Sequence, residues 1–170
     1  MSKIKFFLNF FSFFLLSCNT DNNTSLKINE VFENYYQENL KLYPLNATRQ
    51  GDIRYNDFLP NNLTDEFRNK EKIYYLNYVN QLNKFDDNKL NEDDKLSKKV
   101  MLWECTRNLE RLDFNEHLTP INQMWTLQLD IGQFAAGLSA QPFKTIKDYN
   151  NWLKRIDDYL LWLKSVEDRM

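Results

Sequence analysis

Apolar residues recur along this chain at three- and four-residue steps, the spacing that collects them on one side of an α-helix. Ile28, Val31, Phe32, Tyr35, Tyr36, Leu40 and Tyr43 predict a helix over about 26–43. Pro44 stops it, because a proline ring clashes with a helix interior. A second helix opens at Thr64, a hydroxyl N-cap followed by Asp65 and Glu66, where the helix dipole favours anions. It carries Phe67, Tyr74, Tyr75, Tyr78, Val79 and Leu82. A third starts near Asn91, ahead of Glu92, Asp93 and Asp94. Its apolar side has Leu96, Val100 and Trp103, then Leu102, Cys105, Leu109 and Leu112. A shorter fourth spans about Trp125 to Leu138. The fifth begins at Thr145-Ile146-Lys147-Asp148, which has the spacing of a capping box. Its stripe of Tyr149, Trp152, Leu153, Ile156, Leu160 and Leu163 is the most regular in the chain. No window alternates apolar and polar long enough to demand a strand, and the unequal helix starts disfavour a fixed-period repeat. The expected fold is all-α, with about five amphipathic helices.

The amino terminus has a different pattern. Lys3 and Lys5 precede an apolar run from Phe6 to Leu16, interrupted only by Asn9 and Ser12. The run is too short to cross roughly 30 Å of hydrocarbon as a helix and fits the h-region of a secretory signal peptide. It ends in Leu15-Leu16-Ser17-Cys18, which resembles a bacterial lipobox. That resemblance implies a signal peptide over 1–17, lipid on Cys18, and an exported protein anchored in the bacterial cell envelope, at the outer membrane. Two or more acyl chains anchor stably. The polar stretch Asn19 to Ser25 reads as the tether, with Cys18 at its start, and 26–170 as the folded helical region.

Composition narrows the function classes. The chain has 170 residues with only 3 Gly and 4 Pro, too few for the turns of a sandwich or barrel or for a glycine-rich phosphate loop. Aromatic residues make up 15%, far above a disordered tail. Without the first eighteen residues, which hold two lysines and no acid, the charge is 20 basic against 24 acidic, a net −4. A nucleic-acid partner held by a basic face is therefore not expected. Cys105 is then the one remaining cysteine, so no internal disulfide supports the fold.

Candidate chemistry is sparse. A zinc-peptidase helix needs two His one turn apart around a Glu, and this chain has a single His, His117, preceded by Glu116. His117 is expected near the end of the third helix, where the dipole favours a cation. Asp86 to Asn91 opens like a calcium loop but has Leu90 at the fifth position, no Gly at the sixth and Ser97 at the twelfth. It reads as a solvated linker. Cys105 lies on an apolar helix side and reads as a buried, inert thiol. Ser139 lacks a nucleophile elbow. Trp103, Trp125, Trp152 and Trp162 sit at helical spacing and read as core. No residue is assigned a catalytic, cofactor-binding or metal-binding role. The segment from Pro44 to Asp57 stands apart, being polar and rich in Gly, Arg and Asp between two long helices. Gly51 suits a positive φ, and Asp52 can satisfy backbone donors or pair with Arg49 or Arg54. A loop that locks two helices together is the favoured reading over one that faces a ligand.

A Tyr-Tyr helix followed by Pro-x-x-Ala-Thr-x-x-Gly-Asp-x-Arg-Tyr-x-Asp resembles the start of the bacterial DUF885 proteins. Here these are Tyr35-Tyr36, Pro44, Ala47-Thr48, Gly51-Asp52, Arg54-Tyr55 and Asp57. Leu90 to Leu96 is similar, as is the stretch from Gln133 through Gln141-Pro142-Phe143 and Asp148-Tyr149 to Leu153-Lys154-Arg155-Ile156. The resemblance covers about residues 28–170. It implies an all-helical, metallopeptidase-like fold in exported lipoproteins of several hundred residues, with zinc held by a His-Glu-x-x-Pro-Gly-His type motif in the C-terminal half. No position here matches that motif, so no metal ligand is carried over and no cofactor is expected in this chain. The fifth stripe reaches Leu163 and Val166, close to Met170. The expectation is an N-terminal fragment of a DUF885-like lipoprotein, inactive alone, whose partner is the missing C-terminal part of the same domain. Gly51, Asp52, Arg54 and Tyr55 are expected to be structural. The alternative is a membrane-tethered helical binding module without activity.

Overall fold

In a computed structural model, residues 19–124, 126–137 and 140–170 are described. Cys18 and the segment before it, Trp125, Leu138 and Ser139 lie outside the described residues. Among the described residues there are six α-helices: α1 (Asn19–Leu42), α2 (Pro44–Arg49), α3 (Asp65–Leu82), α4 (Glu92–Leu112), α5 (Leu127–Ala135) and α6 (Ile146–Arg169). There is no strand among the described residues, so the expected all-α class is observed. None of the described helices is long and apolar enough to cross a membrane.

The capping residues explain most of the boundaries. Thr64, Asn91 and Thr145 each accept a hydrogen bond from a backbone N–H of the first turn, satisfying donors that the helix leaves unpaired. At α6 the box is reciprocal: Asp148 donates its N–H to Thr145 Oγ1 (3.2 Å), and Thr145 donates its N–H to Asp148 Oδ2 (2.8 Å). Two boundaries differ from expectation. The stretch expected as a tether, from Asn19 on, forms the first turns of α1. It is held where Asn91 and Asp94, at the start of α4, hydrogen-bond Ser25. Pro44 does end α1, but it also opens α2, because its missing N–H and fixed φ suit a first helical position.

α1, α3 and α4 form one body. Ser25 meets Asp94 and Tyr35 meets Glu104, so α1 runs parallel to α4. Arg68 bonds the Leu112 carbonyl and Lys98 the Phe85 carbonyl, so α3 runs antiparallel to it. Between them lie Ile28, Val31, Leu82, Cys105 and a ring cluster of Tyr35, Tyr74 and Tyr78 with centroids 5.1–5.3 Å apart. α6 is held by two smaller apolar clusters. One joins Leu45, Leu59, Ile131 and Phe134 to Trp152 and Ile156; the other joins Leu63 to Trp162 and Val166.

The amphipathic faces hold the main corrections. Only one of the two apolar rows on α4 is covered, through Cys105 and Leu112. Leu96, Val100 and Trp103 point outward, and Trp103 is 66% exposed rather than core. α1 and α3 occupy the other side of α4, and a row more than a quarter-turn away cannot reach them. On α6 the inward seam is Trp152, Arg155, Tyr159, Trp162 and Val166, which includes a charged residue that periodicity assigns to solvent. Half of the predicted stripe lies on the flank beside it: Tyr149, Leu153 and Leu160 are exposed, as is the neighbouring Ile146, whereas Trp152, Ile156 and Leu163 pack against the apolar clusters. The Asp86–Asn91 connection is a solvated linker between α3 and α4, as expected, with local order of its own. Asp86 caps a single 3₁₀ turn over Asp87–Lys89, and the buried Lys98 ammonium reaches into it, bonding the Phe85 carbonyl and Asp87 Oδ1, both at 2.6 Å.

Candidate functional site

The polar segment after α1 is built by backbone rules. α2 ends in a Schellman turn: Asp52 N–H donates to the Ala47 carbonyl (2.9 Å) and Gly51 N–H to that of Thr48 (3.0 Å). That turn requires a left-handed residue after the helix, and Gly51 has φ +83° as expected. Asp52 then caps the 3₁₀ turn Ile53–Tyr55, accepting from Arg54 N–H at 3.0 Å. The Arg54 guanidinium forks onto the same carboxylate, Nε to Oδ2 at 2.9 Å and Nη2 to Oδ2 at 2.6 Å. These bonds from Arg54 hold the Asp52 carboxyl below its usual range. Of the two arginines open to Asp52, Arg54 takes it; Arg49 pairs instead with Asp130 of α5 at 2.6 Å and lies over the Phe134 ring.

Below this turn lies a charged residue that the predicted apolar stripe of the last helix does not include. Arg155 is 0% exposed and spends its guanidinium on the loop. Nε donates to the Phe58 carbonyl (3.2 Å) and Nη2 to the Tyr55 carbonyl (2.7 Å) and to Thr48 Oγ1 (3.1 Å). Nη1 donates to Gln141 Oε1 (2.6 Å). Thr48 Oγ1 also lies 2.7 Å from Asn56 Oδ1 and 3.0 Å from the Pro44 carbonyl. Burial pulls the Arg155 guanidinium down to about 10, against the opposing Asp57 and Asp158 carboxylates, so it is charged at neutral pH. Beside it, Asp158 accepts the Leu59 N–H at 2.9 Å and Lys154 faces Asp57 at 3.3 Å. Thr48, Tyr55 and Asp57 thus meet Gln141, Lys154 and Arg155 from the far part of the chain. Of the four predicted loop residues, Gly51, Asp52 and Arg54 shape the turn and Tyr55 offers its carbonyl. The geometry is that of a lock between the loop and α6.

A second feature carries chemistry that the sequence did not mark. A cleft of about 760 Å³ opens between the ends of α1, α3 and α4, the 116–127 segment and α6. Its wall holds a buried carboxylate: Glu71 is 4% exposed, and its Oε1 accepts from Tyr43 Oη (2.5 Å) and Arg111 Nη2 (3.1 Å). Tyr43 Oη also lies 2.7 Å from Tyr75 Oη. Burial and the neighbouring Glu71 push the Tyr43 phenol well above its usual range, so both phenols stay protonated at neutral pH. Glu104 accepts from Tyr35 Oη at 2.9 Å, and Glu116 faces Arg111 at 3.7 Å. The three groups around Glu71 come from just past α1 (Tyr43), from α3 (Tyr75) and from α4 (Arg111), and helical spacing does not bring them together.

His117 lies on this cleft, but not at a helix end as expected. α4 stops at Leu112, and His117 sits in a separate 3₁₀ turn, Glu116–Leu118. Burial, then Arg68 and Arg169, lower its pKa, and its Nδ1 is buried without a hydrogen-bond partner among the described residues. A cation is disfavoured there. Cys105 is buried as expected; burial, then Glu104, raise its thiol to about 11, which suppresses the reactive thiolate. Cys18 lies outside the described residues. Among the described residues no group of three or more His, Cys, Asp or Glu side chains is placed to hold a metal ion. The donors that zinc requires are not assembled by these described residues.

A family model described as bacterial protein of unknown function (DUF885) matches residues 44–170, the span that contains the loop, the Arg155 lock and most of the cleft. No curated protein and no solved structure matches the chain.

Proposed function

This chain belongs to the DUF885 family of bacterial proteins, and from that premise we propose that it is the N-terminal helical part of an exported, lipid-anchored hydrolase of the metallopeptidase type. In this reading the chain supplies a wall and a polar cleft, and the groups that hold the catalytic metal belong to protein outside these 170 residues. The supporting observation is the double face of α6. One seam, through Arg155, Trp162 and Val166, is covered by the rest of the chain. The row beside it, Ile146, Tyr149, Leu153, Ile156, Leu160 and Leu163, advances in alternating steps of three and four, and most of it is exposed. Such a row is the pattern that packs against a further helix.

The test has two arms. Sequencing downstream of codon 170 is expected to find a frame encoding a His-Glu-x-x-Pro-Gly-His type motif. The purified chain is expected to bind a hydrophobic dye, to hold no stoichiometric zinc and to cleave no peptide. A chain that is dye-silent, carries one zinc and hydrolyses peptides by itself overturns the reading. For the anchor, the native chain expressed in bacteria is expected to incorporate labelled palmitate, and Cys18→Ala to lose the label and leave the membrane fraction. An unlabelled native chain removes the lipoprotein part of the proposal.

A further inference from the structure

Arg68 and His117 form a corner of the cleft whose hydrogen-bonding capacity is largely unspent. The one bond of the Arg68 guanidinium is to the Leu112 carbonyl (2.6 Å), and it pairs with no carboxylate among the described residues. His117 Nδ1 is buried and has no hydrogen-bond partner among the described residues. The acids elsewhere in the cleft are already engaged: Glu71 and Glu116 by Arg111, and Glu104 by Tyr35. The charged groups acting on His117 are Arg68 and Asp65 from α3 and Arg169 from α6, with Asp65 paired to Arg169 at 2.9 Å. The local balance is one positive charge. The neutral part of the wall is also half-used. Asn62 Oδ1 accepts from Trp162 Nε1 and Asn46 Oδ1 from Arg49, so that among the described residues both amide NH₂ groups are open, while Asn108 donates to the Glu104 carbonyl and its oxygen is open among the same residues.

We infer that the Arg68–His117 corner binds the carboxylate end of a ligand whose neutral polar body lies along the asparagines of the cleft. A guanidinium fork with free N–H groups fits a carboxylate oxygen pair. A single negative charge matches the single local positive one, whereas a phosphate dianion would leave one charge uncompensated. The imidazole completes the site by taking up a proton as the carboxylate arrives, turning Nδ1 into a donor. Binding and protonation of His117 are therefore coupled, and each strengthens the other. The volume of about 760 Å³ holds a ligand of a few residues.

The choice of a peptide acid as the probe rests on the hydrolase reading above; the binding needs neither metal nor turnover. His117 is the only histidine, so its ring C–H resonance reports on the site alone. The purified chain is titrated with N-acetyl-alanyl-alanine and, separately, with its C-terminal amide and with inorganic phosphate. The acid is expected to shift the His117 resonance saturably, to raise its apparent pKa, and to bind more tightly in mildly acid than in mildly alkaline buffer. The amide is expected to do none of these. Arg68→Gln should weaken the acid by about tenfold or more, the scale of one charge-assisted hydrogen bond. Since Arg68 also caps the Leu112 carbonyl, His117→Asn provides a second variant, one that breaks no hydrogen bond among the described residues; it should abolish the pH dependence of binding. An amide that binds as well as the acid, an acid that leaves His117 unmoved, or phosphate that saturates at lower concentration than the acid overturns the assignment. Such a failure leaves the hydrolase reading standing, and a chain that never hydrolyses peptide leaves this site standing.

Discussion

At Gly51 a side chain would meet empty space: a Cβ built there has no neighbour within 4 Å. The cost of Gly51→Ala is then purely that of φ +83°, and the variant should lose about 1 kcal/mol in urea denaturation. Gly51→Asn should lose less, since asparagine tolerates the left-handed region. Arg155 is the opposite case, because every contact is at stake. Arg155→Met strips partners from Thr48, Gln141 and the carbonyls of Tyr55 and Phe58 at once, and should cost about 3–5 kcal/mol in the same measurement. Arg155→Lys should recover only a small part, because an ammonium cannot span four acceptors on three sides. The two residues also differ in legibility. Gly51-Asp52 announces itself, since a helix end, a left-handed turn and the next cap are all local. Arg155 does not, because a lone arginine inside an apolar stripe reads as a solvent edge, and three of its four acceptors lie about a hundred residues away.

Helix starts were legible for the same reason that Gly51 was. Thr64, Asn91 and Thr145 each act on the amide three positions ahead, so the side chain and its target share one short window. α2 left no such trace: six residues carry too little periodicity, and its role emerges only from the Schellman turn at its end. Which side of a helix is covered was legible only where one apolar row exists. α4 and α6 each carry two, and the choice between them depends on where other helices lie. At α6 the cap can be tested by mutation and by pH together. Thr145→Ala should destabilise the chain by about 1 kcal/mol. Hydrogen bonds from the Thr145 and Lys144 amides lower the folded-state pKa of Asp148 below 3.8. The unfolded chain therefore takes up the proton first, and this contribution is present above that value and lost as pH falls through the folded one. Asp148→Asn should flatten the acid limb of the melting curve relative to the native chain.

For the molecule as a whole, the histidine sets a second pH response at milder acidity. His117 titrates near 6.5 when unfolded and below that when folded, because burial and the nearby Arg68 and Arg169 disfavour its cation. The unfolded state binds more protons below about 6.5, so stability is full above that pH and declines as pH falls from it toward the folded value. Melting temperatures followed from neutral to mildly acid buffer should fall in the native chain and stay flatter in His117→Asn. The overall class, the helix order and the loop motif were readable in one dimension. The cleft was not, since Tyr43, Glu71, Arg111 and His117 come together only when α3 folds back along α4.

The Arg155 bond to Thr48 spans 107 positions. A ribosome adding about 5–20 residues per second delivers the two halves of that contact roughly 5–20 s apart. Throughout that interval the hydroxyl of Thr48 and the carbonyls of Tyr55 and Phe58 have no guanidinium to answer them. The α1–α3–α4 body contains no such late-arriving part and has its members in hand once residue 112 has emerged. The chain therefore has a natural order of assembly, with the tyrosine-lined body first and the last helix closing the loop like a latch. A nascent chain stalled before residue 155 should keep the protease resistance of the first and leave the segment between Pro44 and Asp57 open to cleavage.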